Sequence, residues 1–259
     1  MKQYIITIIL ALCLGSCGQH SKHWETLAQV ESYIEESPDS ALNVLQGMDK
    51  GEFSGMEEKA KHALLLSMAM DKNYIDRTDF DVLQPAIDYY KENGSSTEQM
   101  LTLFYQGQIH RINSQYAQAL ACFCDAIKIG EDPKDIHTKA KIYDAQGDVY
   151  ISLTKWDETI KSKLSAANYF SKLDNTDCYV SALLDVFYSY TQDGDFKYLN
   201  EGDDYIKDIS SKTLNKYYCC YLNYLIATNK LNVIENTIQE YFGKVPENNL
   251  DYLSQIYLN

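Results

Sequence analysis

Proline is scarce in this chain of 259 residues: there are four, alongside 12 glycines. So few breakers argue against a turn-rich all-β protein and favour long, uninterrupted helices. Positive charge is short as well. Against 37 acidic residues stand 23 Lys and Arg, a formal net charge of −14, and Arg77 and Arg111 are the two arginines. So acidic a surface repels phosphate backbones and anionic lipid, which excludes nucleic acid as the expected partner and makes a polybasic membrane contact unexpected. The signatures of a phosphate-cradling loop, a nucleophile elbow, a zinc-binding helix and a dinucleotide site are missing, so no catalytic residue and no metal or other cofactor is expected. Five cysteines follow Cys17, an odd number that makes a poor disulfide framework. Cys122 and Cys124, two apart on an expected helix, point about 200° apart and cannot share a metal, and Cys219 and Cys220 diverge likewise. All five read as small buried hydrophobes. His20 and His23 lack a nearby carboxylate or thiolate and read as solvent-exposed. Asp193-Gly194-Asp195 lacks the further ligands of a calcium loop and reads as a turn. What the chain has in plenty is apolar surface, 45% of residues, and 22 tyrosines, which suit both helix packing and a partly wet binding surface.

The first residues form a separate pattern. Lys2 precedes an apolar run from Tyr4 to Leu14, too short for a stable span and of the length expected for a secretory signal. It ends in Leu14-Gly15-Ser16-Cys17, which resembles the lipobox of bacterial lipoproteins. An ordinary signal peptide with an incidental cysteine is the alternative. By the resemblance, residues 1–16 are the signal peptide, Cys17 carries a covalent lipid and becomes the mature amino terminus, and 17–22 is a tether. Gly18 stands where an Asp would favour inner-membrane retention, and no acidic run follows. Outer-membrane attachment facing the periplasm is the implied location, with the cell surface the alternative.

The remainder, 23–259, repeats. Ser67, Gly107 and Gly147 are small residues spaced by 40, as are Ala86, Ala126 and Ala166, and Tyr150 keeps step with Tyr190. Small residues recur where two antiparallel helices cross closely. The turn signals Asn113-Ser114, Asp193-Gly194-Asp195 and Asn229-Lys230 divide hairpins, while Pro38 and Pro133 open or separate them. The expected architecture is all-α: about six helix pairs near 23–48, 57–92, 98–131, 135–171, 177–208 and 213–242, stacked as a right-handed α-solenoid, with a capping segment after Pro246. Pro85 should kink its helix or delay its start to Gln84. Leu103, Gly107, Ala119, Phe123 and Ala126 resemble the tetratricopeptide pattern, and Tyr143, Gly147, Tyr150 and Ala166 follow it less strictly. The chain as a whole resembles tetratricopeptide lipoproteins of Gram-negative bacteria that share a lipobox and the Pro38-to-Leu42 phrase Pro-Asp-Ser-Ala-Leu. Longer members carry a transmembrane helix, a coiled coil and a DNA-binding module, none of which is present up to Asn259, so only a sensor-like half is implied.

In such stacks the first helix of each pair lines the concave wall. The Gly107 and Gly147 register puts Phe104, Gln108 and Arg111 there in one unit, Asp144, Asp148 and Ile151 in the next, and Tyr188 and Tyr224 further along. These residues could hold an extended peptide or a partner helix, and Arg111 is the sharpest candidate for gripping a carboxylate. The function expected first is a lipid-anchored protein-binding scaffold of the envelope. A sensor or regulatory lipoprotein comes second, and a carbohydrate-capturing lipoprotein third.

Overall fold

The computed structural model describes residues 21–130, 136–190 and 207–244. Cys17, Pro133, Asp193-Gly194-Asp195 and the segment after Pro246 lie outside the described residues. Among those described there are eleven α-helices, one short 3-10 turn and no strand. The chain divides into two compact units, one ending at Asn93 and the other beginning at Gly94.

The first unit holds α1 (Lys22–Tyr33), α2 (Pro38–Gly47), α3 (Met56–Lys72) and α4 (Gln84–Asn93). Ser21 starts α1 by accepting the Trp24 N–H on its hydroxyl, and Pro38, with its fixed φ and missing N–H, occupies the start of α2. Helix α3 packs against α1, α2 and α4, with Ala60, Ala63, Leu64 and Ala69 buried along it and Leu27, Val30 and Leu45 facing in from its neighbours. Pro85 is the second residue of α4, so the helix starts at Gln84, where the missing N–H costs nothing.

The second unit holds α5 (Ser96–Ile112), α6 (Tyr116–Ile129), α7 (Ile136–Ser152), α8 (Trp156–Lys172), α9 (Thr176–Tyr190), α10 (Ser211–Ala227) and α11 (Leu231–Lys244). Each packs against the next, and α5 also touches α7. Every expected pair therefore has its first helix in place; the second helix of the fifth falls outside the described residues. The spacing of 40 accords with long helices, since α5, α7 and α8 each run for 17 residues.

Two local devices repeat with the helices. At the first, α5 is opened by a capping box in which Ser95 and Glu98 satisfy each other's backbone N–H groups, and α10 by the Ser210 hydroxyl. The second closes helices: Tyr74, Ser114, Thr154, Asp174 and Asn229 all have φ between 53° and 57°, and the residue after each donates its N–H to a carbonyl five residues back, as in Gln115 to His110 and Lys155 to Tyr150. This is a Schellman-type closure made without glycine. Ser114 and Thr154 are again 40 apart.

The small residues at 107 and 147 do what their spacing implied. A Cβ built on Gly107 would come within 2.5 Å of the Phe123 ring, and one on Gly147 within 2.6 Å of Lys163 Cε. In each hairpin the second helix lays one long side chain over the glycine of the first. Forty residues after the aromatic Phe123, the side chain in the same slot is a lysine.

Candidate functional site

That lysine organises a network of charged side chains in the second unit. Lys163 is 1% exposed. Its stem lies over Gly147, and its ammonium, carried across from α8, donates to Asp144 Oδ1 at 2.7 Å and Asp148 Oδ1 at 2.6 Å, one turn apart on α7. A third carboxylate, Asp185 of α9, stands at 2.8 Å. Asp185 is shared: its other oxygen pairs with Lys216 of α10 at 2.6 Å, and Lys216 also donates to the Ser181 carbonyl at 2.9 Å. One continuous charge network thus joins four helices.

The charges in it are unequal in surroundings. Burial works against the Lys163 ammonium, but Asp144, Asp148 and Asp185 outweigh it and raise the group above the ordinary lysine value. The raised value favours the protonated ammonium, which donates to the carboxylates around it. Burial also opposes ionisation of Asp185, yet Lys163 and Lys216 together pull it below the usual carboxylate range. Asp144 goes the other way: burial raises it, the attraction of Lys163 opposes this, and repulsion from Asp148 and Asp185 adds to the rise. Three carboxylates around one ammonium cannot all be stabilised equally.

Carboxylate oxygens of Asp144, Asp148 and Asp185 lie within 4.8 Å of one another, a donor set suited to a hard cation. The ammonium of Lys163 occupies the centre of that set. The arrangement is chemically an ion-paired clasp.

The residues expected to line a partner surface are distributed as follows. Phe104 is buried at 3% exposure, its ring 4.9 Å from Tyr105 and 6.1 Å from Phe123, so it packs in the helical core. Gln108 and Arg111 are half-buried on α5 and joined, with Arg111 Nε donating to Gln108 Oε1 at 3.0 Å. Asp144 and Asp148 are joined through Lys163 and remain partly open to solvent, at 38% and 42% of the side chain. Ile151 is half-buried. Tyr188 is 43% exposed and meets the edge of Trp156, the first residue of α8, at 6.0 Å. Tyr224 stacks on Tyr221, which stacks on Tyr217, at 6.1 and 6.0 Å, and Lys230 caps Tyr224 from 4.7 Å. Lys163, Asp185 and Lys216 were not singled out in the sequence. The available signal was the lysine 40 residues after Phe123, a charge in an aromatic slot.

The five cysteines of the described residues are free thiols. Cys219 and Cys220 are buried as expected, whereas Cys122, Cys124 and Cys178 are only half-buried; burial pushes Cys122 and Cys219 up to about 11 and Cys220 up to about 12, which favours the neutral thiol. His23 is paired, its Nε2 3.2 Å from a Glu52 carboxylate oxygen. Comparison of the chain with protein-family models, with curated proteins and with solved structures returned no match.

Proposed function

We propose that the chain is a lipid-anchored helical-repeat protein of tetratricopeptide type, its hairpins stacked as a right-handed solenoid, and that it serves as a non-catalytic interaction scaffold in the bacterial envelope. The observation that carries this reading is the repeated hairpin: Gly107 under Phe123 and Gly147 under Lys163, with the same left-handed closure at Ser114 and Thr154. Such units bury their apolar faces against neighbours and leave the first-helix faces available for a partner. The Leu14-Gly15-Ser16-Cys17 sequence supplies the anchor, with lipid on Cys17 and the domain on the periplasmic side of the outer membrane.

The partner is a protein or peptide. Gln108 and Arg111 offer donors for a carboxylate or backbone carbonyl, Asp144 and Asp148 offer partly solvated acceptors, and Tyr188 and Tyr224 offer amphipathic area. Phe104 acts behind them as packing. Proximity crosslinking in intact cells tests the scaffold: the wild type should capture one recurrent protein, and Arg111→Ala should lose it. The absence of any recurrent capture would sink the proposal. Metabolic labelling with a clickable fatty acid tests the anchor, since label retained in Cys17→Ala would refute it.

A further inference from the structure

We propose that the end of the first unit formed by Ser21, residues 49–55 and Met56 rests against the bilayer surface, held there by the lipid on Cys17; this deepens the lipoprotein reading above and depends on it. The start of α1 is fastened rather than free. Ser21, besides capping the helix, donates its hydroxyl to Glu58 of α3, and the Ser54 N–H donates to the other Glu58 oxygen at 2.7 Å. Glu58 is 4% exposed. Two residues on, His23 pairs with Glu52 at 3.2 Å and meets Phe53 edge-on at 5.6 Å. Ser21 is thus fixed to the body of the first unit.

Only four peptide links separate Cys17 from Ser21, and at about 3.6 Å each they reach at most ~14 Å. That is little more than the ~10–12 Å diameter of one helix. Acyl chains on Cys17 place that residue at the lipid headgroups, so Ser21 stays within about 14 Å of the surface. The surroundings suit the position. Met56, in the same first turn of α3 as Glu58, is 55% exposed, and the exposed Gly51, Ser54 and Gly55 beside it carry little side chain to hold the backbone off. The exposed charges nearby nearly balance: Lys22, Lys50 and Lys59 against Glu25, Asp49, Glu52 and Glu57. In a chain with a net charge of −14, this end does not repel an anionic headgroup layer as the rest does. The patch is too small to bind alone, since one methionine buries only about 1.5–3 kcal/mol of apolar surface. The tether supplies the proximity, and the patch decides which end of the domain faces the lipid.

The test uses the full lipidated protein in phosphatidylglycerol/phosphatidylethanolamine vesicles, carrying Met56→Trp on a Trp24→Phe, Trp156→Phe background, with lipids brominated near the headgroup as quenchers. Mass spectrometry of the purified protein first establishes the acyl modification. Expected is loss of most of the emission from the single introduced indole, and recovery of that emission when eight Gly/Ser residues are inserted after Gly18. Acylated protein that sits on vesicles with this indole unquenched would overturn the proposal while leaving the anchor intact, and quenching that survives the longer tether would overturn the role of tether length. Absence of the acyl mass would remove the anchor itself, and the proposal with it.

Discussion

Lys163 fills a slot that an aromatic ring fills one hairpin earlier, and three carboxylates have gathered where the ring would end. Replacing it with methionine keeps the stem over Gly147 but leaves Asp144, Asp148 and Asp185 facing one another. Removing one partner of a fully buried pair costs about 3–5 kcal/mol; two of these carboxylates keep solvent, so Lys163→Met should lose about 2–4 kcal/mol in urea unfolding. The carboxylates themselves should separate in sign. Asp185, lowered below 3.8, contributes stability above that pH, and loses it as pH falls through its folded value. Asp144, raised above 3.8, favours the fold below that pH, and the contribution is lost as pH rises through its raised value. At neutral pH, Asp185→Asn should therefore lower the urea midpoint by more than Asp144→Asn does; an equal or larger loss from Asp144→Asn would refute the unequal sharing. His62 gives a third test at this scale. Buried at 2% and within 2.8 Å of the Leu45 carbonyl, it donates from Nε2 as a neutral ring, and burial pulls it below 6.5 despite the Leu45 hydrogen bond. The first unit should lose stability as pH drops from about 6.5 through the lowered value, a slope that His62→Gln should flatten.

Among the elements, the helix closures carry a cost the protein could shed. Thr154 is β-branched and sits at φ 53°, where an L side chain costs about 1–2 kcal/mol. Glycine there removes that strain but widens the unfolded ensemble by about 0.5–1 kcal/mol, so Thr154→Gly should stabilise by about 0.5–1 kcal/mol in urea unfolding. Loss of stability instead would mean that the Thr154 side chain makes an unrecognised contribution. This scale is also where the sequence was most legible. Gly107 and Gly147 marked two close crossings, Asn113-Ser114 and Asn229-Lys230 marked two turns between helices, and of the two outcomes expected for Pro85 the start at Gln84 is the one found, because each is a local steric requirement. The clasp was not legible, since Asp185 and Lys216 reach it from two further helices and share no sequence period with Lys163. Phe104 was assigned to an open face on register alone, and register does not say how far a neighbouring helix covers a position.

For the whole molecule, the two compact units should behave as separate cooperative regions. Hydrogen exchange under native conditions on Lys163→Met should show amides of α7 to α10 losing protection while those of α1 to α4 keep theirs. Uniform loss across the chain would mean a single cooperative block. The acidic composition and the scarcity of arginine could be read directly as charge, but the fastening of the start of α1 to α3 depended on Ser21 meeting Glu58, a contact 37 residues apart in sequence.

The aromatic and ionic versions of the same joint also answer heat and cold differently. Apolar burial such as that of Phe123 over Gly107 weakens on cooling, whereas the cost of keeping ammonium and carboxylates out of water falls as the solution warms. Within the second unit, the Phe123–Gly107 joint therefore contributes less in the cold, and the Lys163 clasp costs less when hot.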